Sequence, residues 1–221
     1  MLTEKTTIES GKISLGLLLE IHKGSWFFVS LIFNYFSKCE LTSRMALISS
    51  FFGGYGLLWL LKSNTFHDKN FYLVHYSAPE ALLMFSSICI YYIFPWKASQ
   101  NCTEITYFDT LTGSICFVIG SFLHYSSDSQ KFYTLKYNPK NLIKEGLFSI
   151  VQHPNYSGEI LNWIGLAIIS DKYSILCYLP LLYLLLITFC IGIPGKTKSL
   201  KKYDNYNDYN KGTKLLIPGV Y

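Results

Sequence analysis

The 221-residue chain is half hydrophobic and only 15% charged, with a positive mean hydropathy. A soluble domain averages roughly 25% charged residues, so this chain lacks the groups that solvate a surface. Its net charge of +5 does not mark a nucleic-acid binder, because the basic residues gather in two lysine-rich stretches, 131–144 and 196–214, beside apolar runs, as in the positive-inside bias of membrane proteins.

Residues 1–12 are mixed in charge, and the first apolar stretch is interrupted by Glu20 and Lys23 with no A-x-A-like site after it. A cleavable signal peptide is therefore not expected, and the first spanning helix directs insertion. Residues 25–36, 45–61, 81–94 and 173–193 are free of Asp, Glu, Lys and Arg, and 111–125 carries only His124 near its end. Each charge at a helix centre costs roughly 2.5–3.5 kcal/mol on insertion, so the five runs predict membrane helices. Only 173–193 reaches the roughly 20 residues that span a bilayer unaided; the others must recruit flanking residues. The first either extends back through 13–19, which brings Glu20, His22 and Lys23 to the membrane or its edge, or leaves 13–19 as a separate interfacial piece. A Glu20 inside the membrane requires a partner or a watery cavity.

A sixth candidate, 155–170, is polar in its first half and apolar in its second, with Pro154 just before it, a position proline tolerates at a helix start. Such a helix enters the membrane from an aqueous cavity that its polar turn lines. Residues 126–158 hold Lys131, Lys136, Lys140 and Lys144 against Asp128 and Glu145, whereas 95–110 holds Lys97 against Glu104 and Asp109. That asymmetry places the lysine-rich segments and both termini in the cytoplasm and 95–110 outside or in a lumen. Asn101-Cys102-Thr103, in that outer loop, fits the N-glycosylation pattern. The six cysteines are scattered, with no C-x-x-C pair or Cys/His cluster, and read as small apolar side chains, so no metal site is expected on them. The expected fold is an all-α integral membrane protein of about six transmembrane helices.

The chemistry-bearing motifs fall in the last hundred residues. They are Ser127-Asp128-Ser129-Gln130-Lys131, Gly146-Leu147-Phe148, Gln152-His153-Pro154-Asn155-Tyr156-Ser157-Gly158-Glu159, Tyr203…Tyr206…Tyr209 and Leu216-Ile217-Pro218. In order and spacing, this run from Asp128 to Tyr221 resembles the C-terminal domain of the steroid 5-alpha-reductase-like membrane enzymes. That superfamily also holds the sterol reductases and, more distantly, isoprenylcysteine carboxyl methyltransferase.

The resemblance implies a cytoplasm-facing cofactor pocket, NADPH in the reductases and S-adenosylmethionine in the methyltransferases, above a lipid-accessible cavity. Residues 1–125 would form that cavity, and 126–221 the cofactor-binding region with two membrane helices. Carried over by position, Asp128, Gln130, Lys131, His153, Asn155, Tyr156, Glu159, Tyr206 and Tyr209 would lie at the cofactor. The physics agrees: His153 and Asn155 stand at a helix start, where N–H groups and the dipole favour an anion, and Asn155 and Glu159 share a helical face. Two departures stand out: Gln152 where the family has arginine and Thr197 where many relatives carry glutamate. The reading that follows is an NADPH-dependent reductase of a carbon–carbon double bond in a steroid- or lipid-like substrate, at the endoplasmic reticulum by analogy. A methyltransferase acting on a lipid or prenylated substrate is the alternative, and a non-catalytic membrane protein with a decayed pocket the third. Tyr76 and Glu80, at the start of the third span, are the candidate proton donors by depth and chemistry.

Overall fold

The computed structural model describes residues 8–220. The chain's two ends, expected to be cytoplasmic, are residues 1–7 and 221 and lie outside this range. A hairpin opens the described chain: β1 (Ile8–Glu9) and β2 (Lys12–Ser14) turn through Ser10 and Gly11, both at positive φ. Ser14 ends β2 and caps α1 (Leu15–Gly24), its Oγ accepting the Leu17 N–H at 3.2 Å; α2 (Trp26–Tyr35) follows after a break at Ser25. Thr42 caps α3 (Ser43–Thr65) and Asp68 caps the short α4 (Lys69–Leu73). β3 (His75–Tyr76) then pairs antiparallel with β2, Ile13 opposite Tyr76. This three-stranded sheet is the departure from an all-α fold.

Next come α5 (Ala78–Ile88), a 3-10 turn over Cys89–Tyr92 and α6 (Ile93–Gln100). α7 (Tyr107–Tyr137), α8 (Leu147–Ile150) and α9 (Pro154–Asp171) follow. A 3-10 turn over Ile175–Tyr178, α10 (Leu179–Ile187), a π turn over Thr188–Gly192, α11 (Ile193–Leu200) and α12 (Tyr206–Gly212) complete the chain.

Among the described residues four helical stretches are long and apolar enough to cross a membrane: Leu15–Tyr35, Ser43–Thr65, Ala78–Gln100 and Ile175–Leu200. This is the build of a mostly helical, multi-pass membrane protein. The first begins at Leu15, so the first run does extend backwards and carries Glu20, His22 and Lys23 into the helix. The fifth and sixth expected spans fall in α7 and α9, which are not among the four. Thr112, Ser114, Ser121, His124, Ser126 and Ser127 dilute the apolar character of α7, as Asn155, Ser157, Glu159 and Asn162 do in α9.

The chain forms two compact units, Met1–Asp109 with Ile169–Cys177, and Thr110–Ile168 with Tyr178–Tyr221. In the first unit Trp26 stacks on Phe52 with ring centroids 4.0 Å apart, and the charges within the spans are sheltered by aromatic faces. Lys23 Nζ lies 3.4 Å and Lys62 Nζ 4.4 Å from the centroid of Trp59, cation–π contacts that gain strength away from water. The sheet lies at the N-terminal ends of α1 and α5. Beyond the C-terminal ends of α2 and α6, Cys39 and Cys102 form a disulfide, which corrects the reading of the cysteines as unpaired apolar fillers. Both lie in connections rather than in helices, where a thiol meets another connection instead of a packed core. Arg44, the single arginine, donates there from Nη1 to the carbonyls of Ile169 (2.7 Å) and Ser170 (3.2 Å) and from Nε to that of Thr103 (3.4 Å). It thereby satisfies carbonyls that the last turn of α9 leaves open. Lys172 pairs with Asp109 at 2.8 Å and Lys97 with Asp171 at 3.6 Å beside it.

The second unit is built on α7 and α9 packed antiparallel, backbone to backbone. A Cβ on Gly158 would lie 2.5 Å from the Gly120 carbonyl oxygen, and one on Gly165 would lie 2.6 Å from that of Gly113. The glycines recur seven residues apart on each helix, about two turns, so one face of each is stripped of side chains and the helices close to the contact small residues permit. α9 has no exposed position along its length.

Candidate functional site

The glycine contact sets the site. Because α7 and α9 touch at Gly120 and Gly158, the next turn of α7 brings His124 against the first turns of α9. His124 is buried, with Nδ1 3.4 Å from the Asn155 carbonyl oxygen and 3.8 Å from Glu159 Oε1. Its Nε2 lies 3.8 Å from Asp128 Oδ2, one turn further along α7. The imidazole therefore stands between two carboxylates that the sequence had assigned to the cofactor separately. His124 itself was not among the expected site residues, although its four-residue spacing from Asp128 was a readable sign of a shared face.

The strand-like segment before α9 is held by the tail. Val151 bridges Lys214, the Gln152 N–H donates to the Lys214 carbonyl (2.8 Å) and the His153 N–H to that of Leu215 (3.0 Å). Ser157 Oγ donates to the Leu216 carbonyl at 2.7 Å. Gln152, 3% exposed, sends its amide Nε2 to the Thr213 carbonyl (2.7 Å) and to Asn210 Oδ1 (3.0 Å). Gln152 thus clamps α12 and the tail in place. His153, 2% exposed, has no hydrogen-bond partner at Nε2 among the described residues. Burial first, and then the charge of Lys196, push its pKa down to about 3, so the ring is neutral at physiological pH.

Lys196, in α11, completes this cluster. Its Nζ lies 3.4 Å from Asn155 Oδ1 and 3.9 Å from the centroid of Tyr156. Tyr156 fits because Gly192, at the end of the π turn, leaves room: a Cβ there would collide with the phenol. Such π turns recur at functional sites. His153, Asn155, Tyr156 and Glu159, with Asp128 and His124, therefore surround the start of α9, and Lys196 adds a cation.

Other expected site residues have structural partners. Gln130 braces the loop before α8, donating to the Glu145 carbonyl (2.8 Å) and accepting the Leu147 N–H (3.2 Å), which requires Gly146 at φ +59° beneath it. Lys131 is half-buried on α7. Tyr206 and Tyr209 are buried with Leu142. Tyr209 donates to the Phe148 carbonyl at 2.7 Å and Tyr206 reaches Asn210 at 3.3 Å, so both lock the tail. In the first unit, Tyr76 is half-buried on β3, and Glu80 is exposed and spent on a capping box. Its carboxylate accepts the Ser77 N–H at 2.8 Å and hydroxyl at 2.7 Å. The first unit holds a more distinctive acid pair: the buried Tyr72 hydroxyl donates to Glu20 Oε1 at 2.5 Å beside a cleft that Trp59, Lys62 and Phe71 line. Burial, reinforced by the Glu20 carboxylate, raises the Tyr72 phenol above its ordinary value. Glu20 was flagged in the sequence as needing a partner; nothing there pointed to Tyr72.

The donor set in the second unit fits a nucleotide. Carboxylates accept from ribose hydroxyls, an amide matches a carboxamide, a lysine matches an acidic group, and the neutral, orphaned His153 Nε2 offers one further hydrogen bond. The same donors accommodate the ribose and carboxylate of S-adenosylmethionine.

Residues 60–214 match the family described as "Protein of unknown function (DUF1295)". The chain is 26% identical over 133 residues to a protein named steroid 5-alpha-reductase DET2 from Gossypium hirsutum. The match covers 57% of this chain and 48% of that protein, so the chain spans about half the length of the curated relative it matches. With most of its length inside the family's bounds and the motifs gathered round α9, the chain belongs to the DUF1295 family of steroid 5-alpha-reductase-like proteins.

Proposed function

We propose that the protein is a membrane-embedded reductase that uses NADPH to saturate a carbon–carbon double bond in a steroid- or lipid-like substrate. The observation that carries this reading is the gathering of Asp128, His124, Glu159, Asn155, His153 and Lys196 round the start of α9. The name of the cotton relative supports a steroid-like substrate. NADPH, when bound, supplies a hydride. The chain's residues bind and orient: Glu159 and Asp128 accept from hydroxyls, with His124 fixing their spacing, while Asn155 and His153 hold the nucleotide at the helix start. Reduction also requires a proton on the second carbon, and a positioned acid contributes about 10²–10⁴-fold.

We further propose six spans, with α7 and α9 as the fifth and sixth. Ile115, Val118, Ile119 and Phe122 form an exposed apolar stripe along α7, opposite the buried Gly113, Phe117, Gly120 and His124, the pattern of a helix with one face in lipid. α9, enclosed by protein, needs no such face. The lysine-rich 131–144 and the tail would face the cytoplasm, as the endoplasmic reticulum reading requires, with the Cys39–Cys102 end in an oxidising lumen.

The test is the unfolding midpoint of the detergent-solubilised full chain with NADPH, NADP, S-adenosylmethionine or no ligand. Ligand at 100 times its Kd stabilises the folded state by about 2.7 kcal/mol. A rise with NADPH that Asn155→Ala and Glu159→Ala abolish is expected. A rise with S-adenosylmethionine alone would replace the reductase by a methyltransferase, and no rise with any would leave the non-catalytic reading.

A further inference from the structure

We propose that the lysine-rich face of the second unit binds the anionic phospholipid headgroups of the leaflet it borders. A small core assembles that face. Leu142, Tyr206 and Tyr209 are buried together, with Leu200 and Tyr203 packed against them. Each segment that supplies these side chains also carries exposed lysines: Lys140 and Lys144 flank Leu142, Lys198, Lys201 and Lys202 surround Leu200, and Lys211 follows Tyr209. Lys214, exposed too, sits on the tail strand, where its carbonyl accepts the Gln152 N–H at 2.8 Å. The acids in these segments are Glu145, Asp204 and Asp208, three against seven lysines. Among the described residues none of the three forms an ion pair with a lysine of the face, which therefore holds an uncompensated positive charge.

Two further observations point to lipid as the source of the anions. The last candidate span ends at Leu200, so Lys198, Lys201 and Lys202 lie within two residues of its end, roughly 3 Å at the rise of a helix. That is well inside the distance of about 8 Å over which charge acts at physiological salt. Ile150, Ile217 and Val220 are exposed as well, Ile150 just before the Val151–Lys214 bridge and the other two just after it. Lysines interleaved with exposed apolar side chains make a surface that lies in a headgroup layer; an acidic soluble partner has no use for the apolar ones. Orientation by positive charge requires only that lysines stay on one side of the membrane. Their collection round Leu142, Tyr206 and Tyr209 goes beyond that requirement, and a basic cluster just past a span is what anionic lipid recognises.

The experiment reconstitutes the full chain in phosphatidylcholine vesicles and uses spin-labelled lipids to measure the ratio of phosphatidylserine to phosphatidylcholine held at the protein. The wild type should favour phosphatidylserine about fivefold at low salt, the worth of one lysine close to an anionic surface. The ratio should fall towards one in about 1 M salt, where screening shortens to about 3 Å. Changing Lys198, Lys201, Lys202, Lys211 and Lys214 together to glutamine should bring it towards one at low salt, and changing the same five to arginine should keep it. Lys38→Gln, an exposed lysine of the first unit, should leave it unchanged. A wild-type ratio of one overturns the proposal and turns the face towards an acidic protein partner. A preference that survives the five glutamines or the high salt overturns it too. Should the five-glutamine variant fail to reconstitute, Lys201→Gln with Lys202→Gln takes its place: a partial fall supports the face, and an unchanged ratio removes it. Neither nucleotide nor reaction enters this measurement, so failure of the reductase reading leaves the proposal standing.

Discussion

Replacing Gly158 by alanine tests whether the site depends on backbone contact between α7 and α9. The new methyl would lie 2.5 Å from the Gly120 carbonyl oxygen and 2.6 Å from the His124 nitrogen, against an ordinary contact of 3.4 Å or more, so the helices must part by about 0.9 Å (3.4 − 2.5). Both opposing atoms belong to the backbone, so no rotamer change relieves the clash. Overpacking of this kind costs about 1–3 kcal/mol, and alanine returns about 0.8–1.0 kcal/mol of helix propensity. The net loss is about 0–2 kcal/mol, up to roughly 8 °C in the unfolding midpoint at this chain length. The same displacement moves Asn155 and Glu159 away from His124, so NADPH stabilisation should fall as well. Gly54→Ala is the matched control: it sits inside α3 with nothing within 4 Å of a new Cβ, and its midpoint should rise. If Gly158→Ala raises the midpoint as Gly54→Ala does, the helices are not held at backbone contact and the geometry of the site is wrong.

Gln152→Ala removes two buried hydrogen bonds and strands the Thr213 carbonyl, so stability should fall by about 1–3 kcal/mol, and limited proteolysis should cut the tail first. His153 makes stability depend on acid. Its folded pKa of about 3 lies below the ordinary 6.5, so the unfolded chain takes up a proton that the folded chain refuses. Stability is full above pH 6.5 and is lost as pH falls towards 3, by about 2 kcal/mol at pH 5; denaturation midpoints of the wild type and His153→Gln across that range should converge at low pH.

Apolar runs betrayed most of the fold, because a bilayer penalises charge strongly and leaves a mark in composition. The motif His153-Pro154-Asn155-Tyr156 likewise marked the start of α9, since a proline and a polar turn ahead of an apolar run suit a helix start. What composition hid is pairwise. Cys39 and Cys102 are 63 residues apart and meet only when two connections do. Gln152 looked like a lost arginine because its partners, Thr213 and Asn210, come from a tail some sixty residues on. Ser77, three residues before Glu80, was the sign of the capping box that the structure shows. The glycines at 113, 120, 158 and 165 were legible as two matching seven-residue intervals, but their meaning needed the helices laid side by side.

The disulfide also imposes an arithmetic of parity on membrane crossing. Cys39 and Cys102 share one side, so the chain crosses an even number of times between them, which α3 and the Ala78–Gln100 stretch supply. Arg44 and Lys172 extend the rule: Thr103 and Asp109 are tied to the same end as Ile169, Ser170 and Lys172. Between Asp109 and Ile169 the count must again be even, which the six-span proposal meets with α7 and α9.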